Sequence, residues 1–278
     1  MNRSALALVL VSLGLSTGCE DLQQLVPTVS FSHMQLDDLS FDAADVTFVF
    51  DVENPNPVDI GLASFDYDLG LAGTSLVSGQ DADGFLLSAA GGSALELPAH
   101  LDYTDVWDSI TATRGADFVP FNIQGAFGFD TPIGLVELPY DEGGDFPALR
   151  TPHFKPQKLR VSNVNLLRQE ATVELDVDVD NAHASTLNFS NLHYNLKLAN
   201  NAVGSGVIPS FDVNGATEQR IAIPFTVNLL TAGTTVVNAI TRKDPLTAGL
   251  KIDADVAVPF LQRPLALSLD ETGDITVQ

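Results

Sequence analysis

The chain reads as mostly β, organised as two tandem antiparallel β-sandwiches or barrels, each with one short helix. Three observations predict this. Apolar residues recur with period two in many short runs, which gives a strand one buried and one wet face. Clusters of Gly, Asn and Pro separate the runs at sandwich-like spacing. The chain also echoes itself: without a gap, Phe50 to Gly79 lies on Val177 to Gly206 at a constant offset of 127 residues. Asp51, Val52, Asn54, Tyr67, Leu69, Leu71, Ala72, Ser78 and Gly79 then fall on identical residues. Allowing small insertions, Leu97-Pro98 answers Ile223-Pro224, and Asp141-Glu142 with Gly144 answers Asp270-Glu271 with Gly273. A repeat of roughly 125 residues is the size of a domain rather than of a solenoid turn.

The first element in order is a targeting segment. Arg3 supplies a positive start and Ala5 to Leu15 an apolar run too short to span a bilayer. Leu15-Ser16-Thr17-Gly18-Cys19 resembles the lipobox of bacterial lipoproteins, with Ser16 where that family usually has Leu. The resemblance implies a signal peptide over 1–18 and a Cys19 thiol carrying diacylglycerol, with a further acyl chain such as palmitate on the new N-terminus. It places the protein in a bacterial cell envelope, anchored to the periplasmic face of the inner or outer membrane or to the cell surface. Cys19 is the single cysteine, so no internal disulfide can use it. Several acyl chains make a stable anchor, at about 0.8 kcal/mol per buried methylene. Residues 19–28 form the lipidated tether, which at about 3.3 Å per extended residue holds the first unit within roughly 30 Å of the membrane.

The strands come next. Val46, Phe48, Phe50 and Val52 alternate with Thr47, Val49, Asp51 and Glu53. The echo is cleaner, with Val173, Leu175, Val177 and Val179 alternating with Glu174, Asp176, Asp178 and Asp180 on an expected acidic solvent face. Ser64 to Leu71, Asn191 to Leu198, Glu218 to Val227 and Lys251 to Val258 alternate likewise. Thr104 is placed to cap a helix over Asp105 to Ala112, with Trp107 as a core plug. Thr231 or Thr234 has the same place before Val236 to Ile240, and Pro245 stops that helix. Asp141 to Pro156 is dense in Gly and Pro, as a linker is, and apolar enough for a packed joint. The expected units are therefore 29–146 and 147–278.

Asn54-Pro55-Asn56-Pro57 closes the first long strand, and Asn181 opens its counterpart. The prolines donate nothing to a ladder, and Asn side chains can bond the backbone freed at such a corner, so the motif reads as structural. This corner, the alternating strand after it and the later Pro132-Ile133-Gly134 resemble the late embryogenesis abundant type 2 family, also called the water stress and hypersensitive response domain. The resemblance covers Val29 to about Gly144, and His153 to Gln278 more weakly, since Asn181-Ala182-His183-Ala184 keeps only the first Asn. It implies fibronectin- or immunoglobulin-like sandwiches, no enzyme activity, and a role in water stress and desiccation tolerance.

Known chemistry leaves few traces. No nucleophile elbow, phosphate loop, dinucleotide-binding glycine pattern or His-Glu-x-x-His helix is present. The five histidines lack metal-ligand spacing, so no metal site and no cofactor is expected. Asp176 to Asp180 opens like a calcium loop, but Asn181 stands where Gly is needed and Leu187 where the closing Glu belongs. Residues 20–150 hold 23 Asp and Glu against Arg114 and Arg150, a net of −21, and residues 151–278 hold 13 against 10 Lys and Arg. That field opposes nucleic acid and anionic head groups. The expected partners are the membrane, through Cys19, and client proteins or lipids. Two roles are consistent with this: a protective or scaffolding lipoprotein, or a lipid-binding or lipid-transfer module with an apolar groove.

Overall fold

The computed structural model describes residues 25–81, 85–103, 106 and 115–278 of the chain. Cys19, Thr104 and Trp107, with the expected helix over 105–112 apart from Val106, lie outside them. The described residues are mainly antiparallel strand with one described helix. In order these are β1 (Thr28–Leu39), β2 (Ala43–Asn54), β3 (Ile60–Leu71), β4 (Thr74–Asp81), β5 (Leu86–Leu87), β6 (Gly91–Asp102), β7 (Phe118–Thr131) and β8 (Gly134–Pro147). After them come β9 (His153–Asn165), β10 (Glu170–Asp180), β11 (Leu187–Leu198), β12 (Asn201–Val213), β13 (Glu218–Asn228), helix α1 (Gly233–Arg242), β14 (Leu246–Ala257) and β15 (Leu265–Val277).

In the first half β1-β2-β6 form one sheet and β4-β3-β7-β8 another, with β5 on β3. The two pack through aromatic rings: Phe50 of β2 meets Phe127 of β7 at 5.2 Å and Tyr140 of β8 at 5.0 Å. The second half repeats these neighbours as β9-β10-β13 and β12-β11-β14-β15. Registers repeat too. Thr47 faces Pro98 as Glu174 faces Pro224, and Phe121 faces Gly144 as Ala248 faces Gly273. Tyr67 faces Gly79 as Tyr194 faces Gly206. These last glycines are dictated by sterics, since a Cβ on Gly79 would sit 2.7 Å from the Tyr67 ring and one on Gly206 2.5 Å from Tyr194 Oη.

The second half departs from the expectation of two separate facing sheets. Thr276 and Val277 of β15 pair in parallel with Lys158 and Leu159 of β9, which joins all seven strands into one sheet. Three local expectations are also corrected. Neither Thr231 nor Thr234 caps α1, whose N-cap is Ala232 without a side-chain bond; Thr231 Oγ1 turns back to Asn228 O at 3.4 Å. At its other end the helix stops at Lys243, in the left-handed region at φ 62°, before Pro245 is reached. The stretch 141–147 is strand, not linker, and the connection is only 148–152, with Ala148 and Leu149 wholly buried. One apolar cluster runs through both halves.

Candidate functional site

The corner after β2 is built from side chains whose alternation continues past the strand end: Asn54 and Asn56 are buried, Pro55 and Pro57 exposed. Asn54 Nδ2 donates to Val58 O at 2.9 Å, Ser88 O at 3.0 Å and Leu87 O at 3.3 Å. Its Oδ1 accepts from Asn56 N at 2.9 Å. The corner after β10 is the same object. Asn181 Nδ2 donates to Ser185 O at 2.9 Å, Val213 O at 3.0 Å and Asn214 O at 3.2 Å, and Oδ1 accepts from His183 N at 2.9 Å. Ala90 N and Ala216 N, both at positive φ, donate to Asn56 O and His183 O.

Asn56 and His183 occupy equivalent places and hold the chain that enters their own unit. Asn56 Nδ2 donates to Leu25 O at 2.8 Å, three residues before β1. His183 Nε2 lies 3.0 Å from Arg150 O and 3.2 Å from Arg150 N, three residues before β9. Burial holds the His183 pKa below its ordinary value, against the opposing pull of the Arg150 carbonyl and Asp117. Asn56 Oδ1 and His183 Nδ1 are both buried with no hydrogen-bond partner among the described residues. Nothing in the sequence of the second corner pointed to this clasp, because Arg150 is 33 residues from His183. Asp117 completes the joint between the halves, accepting from Ser185 N at 3.0 Å and from Ser185 Oγ.

The acidic face of β10 is not a solvent face. Asp176, Asp178 and Asp180 are 3%, 5% and 8% exposed. Arg160, opposite Glu174 on β9, bonds Glu174 and reaches Asp176 at 2.5 Å. Arg220, opposite Asp178 on β13, grips both of its oxygens, at 2.7 and 2.9 Å. Flanking arginines cover Asp176 and Asp178, a pairing two linear alternations cannot show. Among the described residues no group of three or more His, Cys, Asp or Glu is placed to hold a metal ion.

Two of the surface cavities bear on function. One of about 770 Å³ is lined by Asp66, Tyr67, Asp68, Gln124, Tyr140 and Asp141 among others. Tyr140 Oη donates to Asp66 O at 3.1 Å, and burial, then the charges of Asp66 and Tyr67, raise its pKa. Three carboxylates with no Lys or Arg among the described lining residues make this a polar, acidic groove. The other, about 560 Å³, lies between the halves and sets Leu36 and Leu39 against Leu261 and Leu265, with Arg263 3.6 Å from Asp38. It is the more apolar of the two and has a cation at its rim. No helix among the described residues is long and apolar enough to cross a membrane.

The family described as late embryogenesis abundant protein matches residues 49–144, the stretch that carries the first corner and the acidic groove. No curated protein sequence matches the chain. Solved structures similar to it include a protein from Archaeoglobus fulgidus, at 11% identity and TM-score 0.34 over 42% of this chain and 97% of that one. A candidate late embryogenesis abundant protein solved in solution matches at 20% identity and TM-score 0.39, over 46% and 75%. A cross-linked bacterial adhesin from Mobiluncus mulieris matches at 8% identity and TM-score 0.33, over 90% and 98%.

Proposed function

We propose, from the match of residues 49–144 to the late embryogenesis abundant family, that this protein is a lipid-anchored, non-catalytic envelope protein that protects or scaffolds its neighbours when water is lost. In this reading residues 1–18 are removed, Cys19 carries the acyl chains, residues 19–28 are the tether, and 29–146 and 147–278 are two copies of one β unit, closed into a single sheet in the second. The family match carries the proposal. The repeated registers support a duplicated unit, and the 16 Phe and 45% apolar content are enough for two cores. The heavy negative charge of the first unit supports a hydrated, self-repelling surface that resists collapse onto its neighbours on drying.

The test has two arms. Cys19→Ala is expected to move the protein from the membrane fraction to the aqueous phase and to abolish incorporation of labelled palmitate; unchanged partitioning without label would remove the anchor from the proposal. The Cys19→Ser chain is expected to preserve a labile enzyme through drying better than an equally acidic control protein of similar size. A specific observation favours a second reading, lipid binding or transfer: the leucine-lined cleft between the halves, with Arg263 at its rim. Stoichiometric lipid on the purified Cys19→Ser chain, with no protection on drying, would decide for it.

A further inference from the structure

Three leucines protrude at the end of the second half that lies opposite its junction with the first. Leu166 and Leu167, in the β9–β10 turn, are 75% and 99% exposed, and Leu230, just after β13, is 70% exposed. The two loops are neighbours, because Glu170 pairs with both Asn165 and Asn228 and Leu229 N donates to Gln169 O at 2.8 Å. Each loop is also held in shape. Asn165 Oδ1 accepts from Leu167 N at 3.1 Å and Arg168 N at 3.0 Å, and Asn228 Oδ1 accepts from Leu230 N at 2.9 Å. Single exposed leucines are ordinary on a protein surface, whereas three on adjoining, rigidly held tips form a surface for a partner.

The first half shows what this end of the fold does. Its corresponding turn, between β1 and β2, carries Phe41, which is 3% exposed and whose carbonyl accepts from Thr151 Oγ1 at 3.1 Å across the junction. There the second half covers the end. Charge identifies what covers the free one. Residues 166–169 and 230–243 contain Arg168, Arg242 and Lys243 and no Asp or Glu, with Glu170 and Asp244 at their edges, in a chain with 36 acidic residues and a net charge of −23. All three cations are exposed. The tips are convex, so they need a surface that yields to them.

We propose that this end of the second half docks on an anionic lipid bilayer, with Leu166, Leu167 and Leu230 entering the boundary of the acyl chains and Arg168 held at the phosphates. The contact is interfacial, and it is separate from any anchor at Cys19. The acidic remainder of the molecule is repelled by the same surface.

The Cys19→Ser chain has no other thiol, so Leu167→Cys on that background takes a single environment-sensitive dye. Mixed with phosphatidylcholine vesicles containing phosphatidylglycerol, the Cys19→Ser chain is expected to float with them. The dye at position 167 is expected to shift to the blue and to be quenched by a bilayer-embedded quencher. Leu166→Asp with Leu167→Asp is expected to lower partitioning at least about tenfold, a tenfold change being about 1.4 kcal/mol, at an unchanged melting temperature. Arg168→Glu is expected to weaken binding to the anionic vesicles and not to pure phosphatidylcholine. No flotation of the Cys19→Ser chain, flotation with the dye still in water, or leucines buried in a second copy by sedimentation would each overturn the proposal.

Discussion

At the scale of residues, Asn54 and Asn181 each donate to three backbone carbonyls from a single buried amide. Asn54→Ala and Asn181→Ala are each expected to cost about 3 kcal/mol, because carbonyls left dry lose their full hydrogen-bonding energy. A shifted denaturation midpoint at constant slope is the readout; a loss under about 1 kcal/mol would mean that water replaces the amide. His183 adds a dependence on pH. Burial keeps its folded pKa below the unfolded value, so the unfolded chain takes up a proton that the folded chain refuses. Stability is therefore complete above the unfolded pKa of about 6.5 and falls as pH drops through it. His183→Asn installs the residue found at the equivalent place in the first half, and it is expected to flatten the melting temperature between about pH 7 and pH 5. An equally steep profile in that variant would assign the dependence to other histidines. Asn54 stands out in the sequence because two prolines flag its corner. The part played by His183 does not, since it depends on a carbonyl 33 residues away.

At the scale of elements, period-two patterning locates the long strands, because a half-buried strand writes its two faces directly into the sequence. It misassigns the acidic face of β10 for a physical reason: whether a carboxylate is wet depends on the strand beside it, and Arg160 and Arg220 sit on the neighbours. Arg220→Met is expected to lower the denaturation midpoint, by less than the loss of a fully buried pair would, because the Arg220 side chain is 58% exposed. Adding Asp178→Asn to that variant is expected to recover much of the loss, measured as a double-mutant cycle. Additive losses would show that the two side chains act independently. The helix caps escape a linear reading because threonine is a generic cap, and here Thr231 bonds backwards instead.

For the whole molecule, the repeat is legible from spacing alone, since a constant offset through alternating strands preserves which side chains face inward. The closure of the second half into one sheet is not, because it rests on the parallel pairing of Thr276 and Val277 with Lys158 and Leu159. The charge asymmetry is counted directly, and it carries an expectation. Raising ionic strength from about 0.01 to about 0.15 M shortens the screening length from about 30 to about 8 Å. The melting temperature of the chain, net −23, is expected to rise by about 2–4 °C over that range, the equivalent of about 1 kcal/mol. A flat response would show that the carboxylates are spaced too widely, or paired too well, to repel.

The clasp of Asn56 on Leu25 also settles how a pull would travel. Leu25 lies just ahead of β1, an outer strand of its sheet, which is paired with β2 from Thr28 opposite Glu53 to Leu39 opposite Ala44. Tension entering at Leu25 therefore runs along the axis of β1 and loads that whole ladder in shear, all its bonds together, instead of peeling them one at a time. His183 on Arg150 latches the chain in the same way where it enters β9, a strand held on both sides, by β10 along its length and by β15 at Lys158 and Leu159. A molecule tugged by its leading end meets two such shear locks in series, each with a small polar latch at its mouth.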